Sequence, residues 1–137
     1  MEIQRKLGSD IAMVCDECPP YPCEKDYACQ AVRRTLDWAA ICRETPRAEG
    51  QIAFGIVQGG AFADLRESCA KALVEMDFEG YAIGGVSVGE PEDLILRGVD
   101  DTATAEVYTL SIRAAFQVSV CEGTVRDDTV CEGTEHE

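Results

Sequence analysis

The sequence predicts an α/β fold, a layer of parallel strands covered by helices. Two observations predict it. Three short apolar runs, at residues 11–15, 52–57 and 81–86, each end at a carboxylate, a carboxamide or paired glycines. Amphipathic helical patterns separate them, at residues 26–44 and 61–76, and a further helix begins after Pro91. Runs that are apolar along their length mark strands buried on both faces, and strand–helix alternation makes successive strands parallel. The 137 residues, 46% hydrophobic, suffice for one domain with a buried core.

Each element has its own signal. Ile3 and Leu7, four apart, place a short helix over residues 2–8. The run Ile11–Cys15 is the first strand, followed by Asp16-Glu17 and the loop Pro19-Pro20-Tyr21-Pro22, where proline forbids a helix. Residues 26–44 carry Ala28, Val32, Thr35, Ala39 and Cys42 on one stripe, and Thr45-Pro46 stops the helix. Ile52–Val57 is the second strand. Phe62, Leu65, Cys69, Leu73 and Met76 form the stripe of the next helix, placed at Ala61–Met76. Tyr81–Val86 is the third strand, and Pro91 with Glu92 and Asp93 suits the first turn of the last helix.

Residues 1–100 therefore form one unit and residues 101–137 a divergent acidic tail. Residues 1–89 hold 14 acidic and 9 basic side chains, whereas residues 90–137 hold 12 and 3. The tail contains VCEGT twice, at 120–124 and 130–134, and its composition reads as disordered apart from a candidate strand at 107–112. A net charge of −14 argues against a free-standing nucleic-acid binder. No run reaches the ~18 apolar residues of a membrane span. MEIQRKLGSD has no apolar signal region, so a cytoplasmic chain without a membrane partner is expected. Eight cysteines include one C-x-x-C pair, Cys15 and Cys18; without a second pair or a nearby histidine, reduced thiols are favoured over a zinc or redox site.

Ligands of such sheets meet the carboxyl ends of the strands. There the sequence puts Asp16, Gln58 in FGIVQGG, and Gly84-Gly85 in YAIGGVSVGE. A carboxylate, an amide that donates and accepts, and a bare peptide complement a purine-like edge with adjacent N–H donors beside a carbonyl. Each also has a plainer use: Asp16 as a turn or cap residue, Gln-Gly-Gly as a loop, Gly84-Gly85 as close strand packing.

Together, LGSDIAM-x-x-DEC (residues 7–18), FGIVQGG (54–60) and DFEGYAIGGVSVGE (77–90) resemble the tRNA-guanine transglycosylases, over roughly residues 2–92. That family exchanges wobble guanine in tRNA for a 7-deazaguanine on a (β/α)8 barrel with a zinc-binding insertion. The resemblance implies a partial barrel of three to four β/α units. It implies that Asp16 reads the N–H edge of the base, while Gln58 and the Gly85 N–H address its carbonyl. The Val86 backbone would lie near the 7-substituent, presented by Glu90. Cys18 would line the pocket, Glu17 would support it, and Val88 would favour 7-aminomethyl-7-deazaguanine over queuine.

The family's nucleophilic aspartate segment, its upstream catalytic strand and its zinc ligands have no counterpart here; Cys121 and Cys131 lack the zinc spacing. The expectation is therefore a truncated product carrying base recognition, with no catalytic residue and no cofactor of its own. The open edges of a partial barrel point to a homo-oligomer or a complementing chain as partner. A non-catalytic deazaguanine-binding module is the alternative.

Overall fold

The computed structural model describes residues 1–102, with side chains through residue 98. The elements are α1 (Glu2–Leu7), β1 (Ile11–Met13), α2 (Lys25–Glu44), β2 (Ile52–Val57), α3 (Ala63–Glu75), β3 (Gly80–Ile83) and α4 (Glu92–Thr102). The three strands form one parallel sheet in the order β1-β2-β3. Ile11 is opposite Ile52 and Phe54 opposite Gly80, so all three carboxyl ends reach the same edge. The tail, with its candidate strand and its VCEGT repeat, lies outside the described residues.

The core lies between the sheet and α2 and α3. On α2 all five stripe residues, Ala28, Val32, Thr35, Ala39 and Cys42, are buried. Along β2, Ala53, Gly55 and Val57 are buried, whereas Ile52, Phe54 and Ile56 are half-buried. A Cβ on Gly55 would meet Phe78 and Leu73, which identifies the buried face as the one under the helices. The strand thus alternates, where the sequence pattern predicted burial on both sides.

Three boundaries differ from expectation by two residues or more, the others by one at most. β1 stops at Met13 rather than Cys15, although the Val14 N–H still donates to Phe54 O at 3.1 Å. β3 stops at Ile83 rather than Val86, because Gly85 turns to φ +66°. α3 begins at Ala63 rather than Ala61, since a turn from Gly59 O to Phe62 N at 3.1 Å precedes it.

The free side of β1 is occupied by a side chain. Gln4 on α1 donates from Nε2 to Met13 O at 2.7 Å and accepts from Met13 N at 2.8 Å. One amide group thereby copies a ladder pair and satisfies backbone groups that an edge strand would leave open.

Candidate functional site

Two strand ends supply the centre of the site. Gln58 follows β2 and is 1% exposed. Its Nε2 donates to Asp16 Oδ2, beyond β1, at 2.5 Å. Its Oε1 is buried with no hydrogen-bond partner. An amide carries two N–H donors and an acceptor, so one donor is committed to Asp16 while the acceptor stands idle. An idle buried acceptor costs about 1–3 kcal/mol, which makes this atom notable.

The third strand end closes against that amide. A Cβ on Gly85 would lie 2.5 Å from Gln58 Oε1, and one on Gly84 would lie 2.6 Å from Gln58 Nε2. Gly84 N donates to Val57 O at 2.9 Å, which carries the pairing one step past β3. At these two positions glycine is required by space, and at Gly85 by its positive φ as well.

Cys18 joins the group. Burial raises its thiol pKa, and the Asp16 carboxylate raises it further, while the Gly85 N–H acts in the opposite direction. The residue as a whole is exposed, but its sulfur faces the rim. Asp16, Cys18, Gln58 and Gly85 are therefore neighbours. Val86, Val88 and Glu90 line an adjoining cleft of about 70 Å³, opposite Pro19–Pro22; Asp16 and Gln58 do not line it.

Glu90 shapes that loop. Its carboxylate accepts from Ser87 N at 2.5 Å and from Val88 N at 2.8 Å, with Ser87 at φ +62°. Burial pushes its pKa up, but the N–H groups of Glu90, Val88, Ser87 and Gly89 outweigh this and leave it below its ordinary value.

Glu17 points the other way. It receives Arg34 Nε and Nη2 and the Tyr27 hydroxyl, and its own N–H donates to buried Thr35 Oγ1 at 2.9 Å. Arg34 is the main reason its pKa is lowered. The residue clamps the segment carrying Asp16 and Cys18 onto α2.

Cys15 and Cys18 diverge, as residues three apart on extended chain should. Cys18 faces the rim, whereas Cys15 lies beside Cys42 of α2, whose thiol burial pushes up. Among the described residues no three His, Cys, Asp or Glu side chains gather as metal ligands. These residues do not fit a structural zinc ion.

The residue that sequence reasoning missed is Arg66. It is 0% exposed, the largest of the fully buried side chains among the described residues. It lies on α3 four residues after Phe62 and three before Cys69, which was the available signal: its position, not its type, belongs to the apolar stripe.

Comparison with known proteins extends these observations. Residues 1–110 match the family model for queuine tRNA-ribosyltransferase. The queuine tRNA-ribosyltransferase of Pelotomaculum thermopropionicum is 59% identical over 102 residues, covering 74% of this chain and 28% of that protein. Its counterpart from Desulforamulus reducens is 57% identical over 100 residues, covering 73% and 27%. That of Staphylococcus aureus is 54% identical over 103 residues, covering 74% and 27%. The chain spans little more than a quarter of the length of these curated relatives.

Proposed function

This chain belongs to the queuine tRNA-ribosyltransferase family, and from that premise we propose that it carries the part of a partial (β/α)8 barrel that recognises the base. The base is guanine or 7-aminomethyl-7-deazaguanine, exchanged at the tRNA wobble position by the complete enzyme. Asp16 accepts the ring N–H and the exocyclic amine. The free N–H of Gln58 and the N–H of Gly85 donate to the base carbonyl. The Val86 backbone and Val88 meet the 7-substituent, in a loop held by Glu90.

The observation that carries this reading is the idle amide. Gln58 is buried beside Asp16 and Gly85 with its Oε1 unpartnered. Oε1 is an acceptor, so it takes a base N–H and not the base carbonyl, which pairs instead with the second Nε2 hydrogen of Gln58 and with the Gly85 N–H. A site with such groups unsatisfied rejects ligands that cannot complete them. Glycosyl exchange also needs a nucleophile and a general acid–base group, and none of the residues at this rim is given either role. The isolated chain is accordingly expected to bind base without exchanging it.

Calorimetry with 7-aminomethyl-7-deazaguanine tests the proposal. Binding that is lost in Asp16→Ala supports it; no binding at millimolar ligand removes it. Labelled guanine entering tRNA with the purified chain would reject the inactivity.

A second reading concerns partners. Among the described strands β1 and β3 each pair only with β2, and Ile11 and Ile83 are both 42% exposed. A second copy or a complementing chain that extends the sheet fits the β3 edge, since Gln4 already occupies the β1 edge at Met13. Sedimentation showing a monomer, alone and with the remainder of the enzyme supplied in trans, would dismiss it.

A further inference from the structure

Arg66 is a fully buried cation, and transfer of a charge from water is costly unless its donors are satisfied. What it donates to is informative. Nη2 reaches Gly84 O at 2.9 Å, Nη1 reaches Gly60 O at 3.2 Å and Nε reaches Gly98 O at 2.9 Å. One guanidinium thus binds the glycine loop after β2, the end of β3, and α4.

We propose that Arg66 is a positioning residue that aims the Gly85 N–H at the carbonyl of the base, by holding the Gly84–Gly85 peptide from its carbonyl side. The proposal rests on the base-recognition reading above.

The geometry follows from the peptide plane. The one cis peptide among the described residues is Tyr21–Pro22, so the Gly84–Gly85 unit is trans, and its C=O and N–H point in opposite directions. Fixing Gly84 O on Arg66 sends the Gly85 N–H away from α3 and toward the rim. The effect of that N–H on the Cys18 sulfur, a rim atom, agrees with this direction. Neither glycine can hold the plane by itself, because neither has a side chain to pack. A charged donor on the carbonyl also polarises the peptide, which makes its N–H a better donor to an oxygen. Lysine cannot replace the fork, since an ammonium is a point donor and the three carbonyls lie on different segments.

The test compares wild type with Arg66→Lys, which keeps the charge and loses the fork. Guanine and 2-aminopurine, which lacks the carbonyl oxygen, are titrated into each full-length chain. Guanine affinity should fall on the order of tenfold or more, with 2-aminopurine changing far less. An equal loss on both bases, or no loss on guanine, overturns the proposal. A base-free measurement separates it from the reading it rests on: the pH profile of Cys18 alkylation by iodoacetamide, read by mass spectrometry. The profile should move to higher pH in Arg66→Lys, as the sulfur loses its aimed N–H, and an unmoved profile is contrary evidence. If wild type binds no guanine, base recognition fails while this profile still judges Arg66. If Arg66→Lys does not fold, nitrogen NMR of wild-type arginines decides. Distinct, slowly exchanging Nη signals for Arg66 support the clamp, and a freely rotating guanidinium overturns it.

Discussion

Gln58 spends one amide N–H on the Asp16 carboxylate at 2.5 Å while its Oε1 stays buried and unpartnered. The two residues follow neighbouring strands, so the pairing is a product of the parallel register that sets Ile11 opposite Ile52. A pair used only for stability would not leave half the amide idle.

That relationship predicts opposite effects on stability and binding. Gln58→Leu removes an unsatisfied buried acceptor worth about 1–3 kcal/mol of penalty, at the cost of one donor to Asp16, which is not fully buried. Thermal stability should therefore hold or rise, while base binding disappears. A large loss of stability would mean that the amide serves the core and not a ligand. Urea unfolding beside calorimetry reads both effects.

Much of this fold was legible because its signals are periodic. The α2 stripe was read residue by residue, since Ala28, Val32, Thr35, Ala39 and Cys42 obey the helical period without exception. The strand ends at Asp16, Gln58 and Gly85 were legible because residue types that interrupt apolar runs stand out. Arg66 was not legible: a stripe counted by apolar type took half-buried Leu65 in its place. Its burial is decided by carbonyls of Gly60, Gly84 and Gly98, far apart in sequence, and no local pattern encodes their meeting. The overextended third strand has the same origin, because the φ of Gly85 is set by contacts beyond its neighbours.

Two glycines with similar backbone and different surroundings separate strain from contact. Gly8 and Gly85 have φ +68° and +66°; a Cβ on Gly8 meets nothing within 4 Å, whereas one on Gly85 meets Gln58 Oε1 at 2.5 Å. Gly8→Ala should cost only the left-handed penalty of about 1–2 kcal/mol. Gly85→Ala should cost more and abolish base binding, because the Gln58 amide must move. Equal stability losses from the two substitutions, measured by chemical denaturation, would contradict the crowding at Gly85.

Glu90 offers a graded perturbation of the loop. Both carboxylate oxygens are used, one on Ser87 N and one on Val88 N. Glu90→Gln retains one good acceptor, and Glu90→Ala retains none. Binding of 7-aminomethyl-7-deazaguanine should weaken in that order, by a few-fold and then by tenfold or more. Guanine, which has no 7-substituent, should be less affected. Equal losses for both bases would place the action of Glu90 on the whole site instead of on the Val86–Val88 wall.

At the amino ends of the strands, away from the site, Glu79 makes the fold acid-sensitive. Its carboxylate receives Arg47 Nη1 at 2.6 Å and Nη2 at 2.8 Å, and the Ala53 N–H of β2 at 2.9 Å. Arg47 is the main reason that its pKa falls from an ordinary 4.5 to about 2, against an opposing push from burial. A carboxyl lowered on folding binds protons more readily when unfolded, so its stabilisation is full above the unfolded value and lost as pH falls toward the folded one. Between pH 4.5 and about 2 the chain should therefore lose stability through this group. Glu79→Gln should be less stable at pH 7 and flatter over that window, and Arg47→Gln should move the acid transition of the wild type to higher pH. Parallel acid-unfolding curves for wild type and Glu79→Gln would show that the Arg47–Glu79 pair does not govern this response.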